Sequence, residues 1–176
     1  MKRILSCIFL VVCLSSMIPT TKATAVYYKS IPLSEEVQTY LYNQCVCNDI
    51  DFDLMLALIE QESEFDKYST SPTGDYGLCQ INIEANAELI ETKKIYNVYD
   101  EYHNIGLAIT ILSELQEKYG KDVDCVLMCY NMGEDGAKRL WDKGIWESKY
   151  SMSIKRKMCK YNKYIKMQNR YYIEGN

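Results

Sequence analysis

Residues 52–65 read FDLMLALIEQESEF, an apolar run that ends in three alternating acids, Glu60, Glu62 and Glu64. The apolar part is too dense for a surface strand and long enough for a buried helix. Asp51 or Asp53 can cap its start, and the spacing predicts a helix to about Ser63. Each helical residue turns by about 100°. Glu62 follows Met55, Leu58 and Ile59 by seven, four and three positions, so it continues the apolar stripe. Glu60 and Glu64 each fall roughly 160° away and are expected on the solvent side. One acid is expected to point inward and two outward.

Glu62 also lies in the helix's last turn, where free carbonyls carry partial negative charge. Burial and that dipole both disfavour the carboxylate and raise its pKa. A carboxylic acid that keeps its proton near neutral pH suits general acid catalysis. A core glutamate bonded to a backbone amide or an arginine has the same pattern, so the helix alone leaves both readings open.

Outward from this helix, Ser34 can cap an earlier one through about Cys45, with Glu35 and Glu36 in its first turn. From Asp66 to Ile83, Ser, Thr, Pro and Gly dominate, predicting a loop with a short hairpin near DYGLCQIN. A weaker helix is expected over EANAELIE. Asn104 begins an amphipathic pattern through Tyr119, with Gly120 just past its end. Asp122 opens VDCVLMCYNM, apolar nearly all round, which Gly133 should stop. A short helix over GAKRLWDK and a last one from about Ser153 to Tyr172 complete the reading. The expected fold is α+β and predominantly helical, with the helices at 52–63 and 123–132 as its central pair.

The chain has 176 residues, enough for one domain with a real core. A basic start, the apolar run ILSCIFLVVCLSSMI and small residues at Ala23 and Ala25 fit a signal peptide over 1–25, leaving 26–176 as one domain. A retained membrane anchor is the rival reading, against which stand the short run and its serines. Export implies the periplasm, the cell wall or the medium. Losing Lys2, Arg3 and Lys22 takes the net charge from −4 to −7, which argues against a nucleic-acid binder. The region 151–176 opposes this trend, with seven basic residues against Glu174. It reads either as a solvated helix face or as a tether to anionic wall polymer or a membrane surface.

Six cysteines follow the leader: Cys45, Cys47, Cys79, Cys125, Cys129 and Cys159. An even count in an exported chain predicts at least one disulfide. With His103 alone and no paired C-x-x-C units, the sequence offers no zinc site, and no metal or cofactor is expected.

Three segments together resemble the lytic transglycosylases, the goose-lysozyme-like enzymes that cut peptidoglycan glycan strands. In the first, Glu62, Ser63, Phe65, Ser71, Gly74, Gly77, Leu78 and Gln80 fall at the family's spacing. The second, NIGLAITILSELQEKYG, resembles its Asn-Ile helix. The third, CYNMGEDGAKRLW, resembles its Tyr-Asn-x-Gly block through Tyr130, Asn131, Gly133, Gly136 and Ala137. The likeness runs from about Asp51 to Trp141 and implies a lysozyme-like fold.

It also implies a reaction. Glu62 would be the one catalytic acid, cleaving between N-acetylmuramic acid and N-acetylglucosamine and leaving a 1,6-anhydro end. Tyr130 would lie against Glu62. Ser71, Cys79, Gln80, Tyr130 and Asn131 would sit at substrate-binding positions, Cys79 through its backbone. Peptidoglycan glycan strands would be the partner, and a place in a secretion or conjugation apparatus is compatible. Cys79 stands where the family has Met, Asp75 where it has Ala, and Lys67 and Ser69 where it has Pro and Ala. If Asp75 could position a water, hydrolysis would compete with anhydro closure. A hydrolytic muramidase and a non-catalytic wall-binding protein are therefore the alternatives.

Overall fold

A computed structural model describes residues 26–174, with side-chain surroundings up to residue 169. The leader lies outside the described residues. Six helices and one hairpin follow in the order α1 (Glu35–Cys47), α2 (Phe52–Ser63), β1 (Asp75–Tyr76), β2 (Ile81–Asn82), α3 (Ala87–Thr92), α4 (Glu101–Tyr119), α5 (Val123–Trp141) and α6 (Lys149–Glu174). The α+β, mostly helical architecture agrees with the sequence reading.

The caps explain the boundaries. Ser34 accepts from the Val37 amide at the start of α1, and Asp122 accepts from the Cys125 amide at the start of α5. Asp100 caps α4 by accepting from the His103 amide, so that helix begins one turn before the Asn104 expected from its apolar stripe. Helix α6 likewise begins at Lys149, ahead of Ser153. At its start Ser148 and Ser151 bond each other's amides reciprocally, a cap built from two serines. Gly133 interrupts α5 at φ 70°, ψ 162°, and helix resumes beyond the kink to Trp141.

Leu54 to Ile59 of α2 are all buried, so this helix is enclosed on every side along its middle. Each such Leu or Ile contributes roughly 1.5–3 kcal/mol relative to exposure. The expected pairing of α2 with the helix at 123–132 is corrected: α2 runs along α6, while α5 packs on α4 and α6. The same contact corrects Glu60. It does not face open solvent but turns to α6, where Tyr161 and Lys160 bond its carboxylate and Lys157 lies 3.7 Å away. Glu64 is exposed, as expected, and forms the α2 cap at φ 51°. On the basic region, Lys155 pairs with Asp124, and Lys157 and Lys160 with Glu60, so part of its charge is neutralised within the fold.

The expected disulfide is also corrected, since all six described cysteines are free thiols. Cys125 and Cys129 stand one turn apart on α5, a spacing that a relaxed bridge does not span. Cys47 and Cys159 lie exposed on separate helices, and Cys45 and Cys79 are sealed in the apolar core. Burial pushes the Cys45 and Cys79 thiols well up, which keeps them inert.

Candidate active site

The end of α2 meets the hairpin through a set of hydrogen bonds from three helices. Ser63, next to Glu62, donates to the Leu78 carbonyl at 2.8 Å. Asn104 of α4, fully buried, accepts from the Cys79 amide and donates to the Tyr76 and Val98 carbonyls, each at 2.8 Å. Tyr130 of α5 donates to the Cys79 carbonyl at 2.8 Å. These bonds satisfy buried backbone groups that would otherwise be costly. They also fix the hairpin against the helix that carries Glu62. Gly77 permits the approach: its φ is 77°, and a Cβ there would stand 2.5 Å from the Asn104 amide nitrogen.

Glu62 itself is half-buried, and the Tyr150 hydroxyl donates to its Oε1. Burial pushes its pKa up from 4.5 to about 7. The phenol's hydrogen bond pulls it down and the Asp75 charge pushes it up again, with burial the largest effect. A carboxyl poised near neutrality can give up a proton and take one back.

Tyr130 lies near enough to Glu62 to feel its charge, as the resemblance implied, but it makes no hydrogen bond to the acid. Its hydroxyl is committed to Cys79, and Tyr150 at the start of α6 is the phenol on Glu62. The sequence reading missed Tyr150. Its signal was there: Tyr150, Ile154 and Tyr161 share one face of α6, and both Ile154 and Tyr161 are buried. Starting that helix at Ser153 left Tyr150 off the face.

The other candidate residues divide. Ser71 does not reach Glu62; its hydroxyl bonds Asp75 and Thr73, pinning the loop. Cys79 is fully buried, and its amide and carbonyl are taken by Asn104 and Tyr130, so it supports the hairpin rather than facing a ligand. Gln80 gives both amide hydrogens to the Ser69 and Gly77 carbonyls, which leaves its oxygen to accept. Asn131 is exposed on α5, directly after Tyr130. Asp75 accepts from Ser71, Thr73 and Asn82. Burial pushes its carboxyl up, but these three bonds outweigh that and hold it below its ordinary value. Asp75 is thus an ionised loop anchor that also acts on Glu62 through its charge.

A family model described as the transglycosylase SLT domain matches residues 45–151, more than half of the chain. The chain belongs to the transglycosylase SLT domain family. The match covers Glu62, the hairpin, Tyr130 and, at its far end, Tyr150. Among solved structures, the 70 kDa soluble lytic transglycosylase of Escherichia coli superposes with a TM-score of 0.59 at 18% identity. The superposition covers 83% of this chain and 25% of that one, so the SLT chain described here spans a quarter of the larger protein. At that identity the likeness concerns the fold, which is lysozyme-like, as the sequence resemblance implied.

Proposed function

We propose that this SLT domain is a peptidoglycan lytic transglycosylase that cleaves between N-acetylmuramic acid and N-acetylglucosamine. The observation that carries the reading is Glu62, a half-buried carboxyl whose pKa burial raises to about 7, held at Oε1 by Tyr150. Protonated Glu62 gives its proton to the glycosidic oxygen as the C1–O bond breaks. The resulting carboxylate then takes the proton of the muramoyl 6-hydroxyl, whose oxygen bonds to C1. The product is a 1,6-anhydro end, no water is consumed, and Glu62 is protonated again.

Most glycosidases that use water need a second carboxylate as nucleophile or base. Here the carboxylate whose charge acts on Glu62 is Asp75, and its oxygens are engaged by Ser71, Thr73 and Asn82. That engagement favours anhydro closure over hydrolysis. Tyr150 positions the acid, while Asn131 and the Gln80 oxygen offer polar contacts to sugar hydroxyls and acetamido groups.

The test is glycan release from purified sacculi by the wild type and Glu62→Gln. The variant is expected to fold and to release no glycan. Undiminished release would overturn the assignment of Glu62. A wild type that cleaves no glycan would leave a wall-binding module as the function.

A further inference from the structure

The chain contains two tryptophans, Trp141 and Trp146, and they stack on each other. Their ring centroids lie 5.7 Å apart with the planes 10° from parallel. Trp141 ends α5 and packs into the molecule, its ring edge-on to Tyr119 at 5.3 Å. Trp146 covers Trp141 but remains 58% exposed, beside Ile145, which is 43% exposed. A large indole stacked on its neighbour thus keeps more than half of its surface open to solvent.

The segment that carries Trp146 is fixed at both ends. At the α5 end, Gly144 turns at φ 74°, its amide donates to the Trp141 carbonyl, and the Ile145 amide donates to the Leu140 carbonyl. This is a Schellman-type stop. At the α6 end, the Ser148–Ser151 cap is tied to α5, because the Ser151 hydroxyl donates to Asp124 at 2.6 Å. Four residues after Trp146 comes Tyr150, whose hydroxyl is on Glu62. Four residues reach at most about 14 Å, so the backbone that carries the indole stays within that span of the backbone that carries the Tyr150 phenol.

We propose that Trp146 is a sugar-stacking subsite that holds the glycan strand beyond the scissile bond. The inference rests on the functional reading above, since it takes the same polymer as its ligand. A flat apolar face with a polar edge matches the C–H face of a pyranose ring ringed by hydroxyls. Stacking on Trp141 holds the indole in one orientation, so little freedom is lost when a sugar docks. A polymeric substrate extends past the bond being cut, and Trp146 stands on the segment that leads, four residues later, to the Tyr150 that holds Glu62.

Because both tryptophans belong to this stack, intrinsic tryptophan emission reports on it alone. The experiment titrates Glu62→Gln, which binds without cutting, with peptide-free glycan strands and follows emission and calorimetry together. Emission is expected to change saturably, with the midpoint that calorimetry gives. Adding Trp146→Ala should weaken binding about five- to tenfold, the loss of one aromatic contact. Trp146→Phe should restore most of it. In the cutting enzyme, Trp146→Ala should raise KM on sacculi with kcat within about twofold. Glycan binding by calorimetry with silent indoles and unchanged affinity in Trp146→Ala would overturn the subsite and leave the functional reading standing. Absence of glycan binding would overturn both. Loss of a dimer in Trp146→Ala, with glycan affinity intact, would assign the face to a second copy of the chain instead.

Discussion

Replacing Glu62 by Gln should stabilise the protein, and by an amount that depends on pH. The folded state keeps the Glu62 proton until about pH 7, whereas the unfolded chain loses it near 4.5. Between those values the native state binds more protons than the unfolded one, so this group's contribution falls as pH rises. The full shift corresponds to roughly 3 kcal/mol at most. Gln keeps the shape and an oxygen for the Tyr150 hydroxyl but cannot ionise. Below pH 4.5 the two proteins should be about equally stable. The difference should open through pH 5–7 and level off above about pH 8, with the variant ahead by up to about 3 kcal/mol. For a domain of this size that is roughly 6–12 °C in Tm. Denaturant unfolding at a series of pH values from 4 to 9 measures it directly. A difference that stays flat across the series, or that favours the wild type as pH rises, would refute the reasoning. Glu62 would then titrate alike in both states, and burial would not be shaping its chemistry.

The two tyrosines should behave differently. Tyr150→Phe removes the bond that favours ionised Glu62, so the alkaline limb of kcat/KM should move up from about 7 as kcat falls. Tyr130→Phe removes only the bond to the Cys79 carbonyl, and should cost about 1 kcal/mol of stability with the limb unmoved. Asp75→Asn removes a charge that pushes Glu62 up, so the same limb should move down in a pH–rate profile. Gly77→Ala drives a methyl into Asn104 at a positive φ and should cost about 3 kcal/mol by thermal unfolding. Gly144→Ala, with open space around it, should cost only about 1 kcal/mol.

Local signals carried far in this sequence. Ser34, Asp122 and Gly120 mark helix ends because a capping hydroxyl, carboxylate or glycine acts within one turn. The inward turn of Glu62 follows from helix periodicity and the apolar residues before it. What spacing could not supply was the rotation of one helix against another. Tyr130 and Tyr150 are both tyrosines on helices near the acid, and only packing decides which hydroxyl meets Glu62. Glu60 shows the same limit: its angle sets it opposite Glu62, but α6 lies over that side and supplies Tyr161 and Lys160. Cysteine parity failed for a related reason, since pairing depends on where six thiols end up and not on how many there are.

Glu62 is proposed to work alone, as acid and then as base. Mass analysis of the termini released from purified sacculi tests this most directly. Fragments ending in 1,6-anhydromuramoyl groups are predicted throughout the digest, and none of them with Glu62→Gln. Termini that are reducing sugars carrying the elements of water would contradict it.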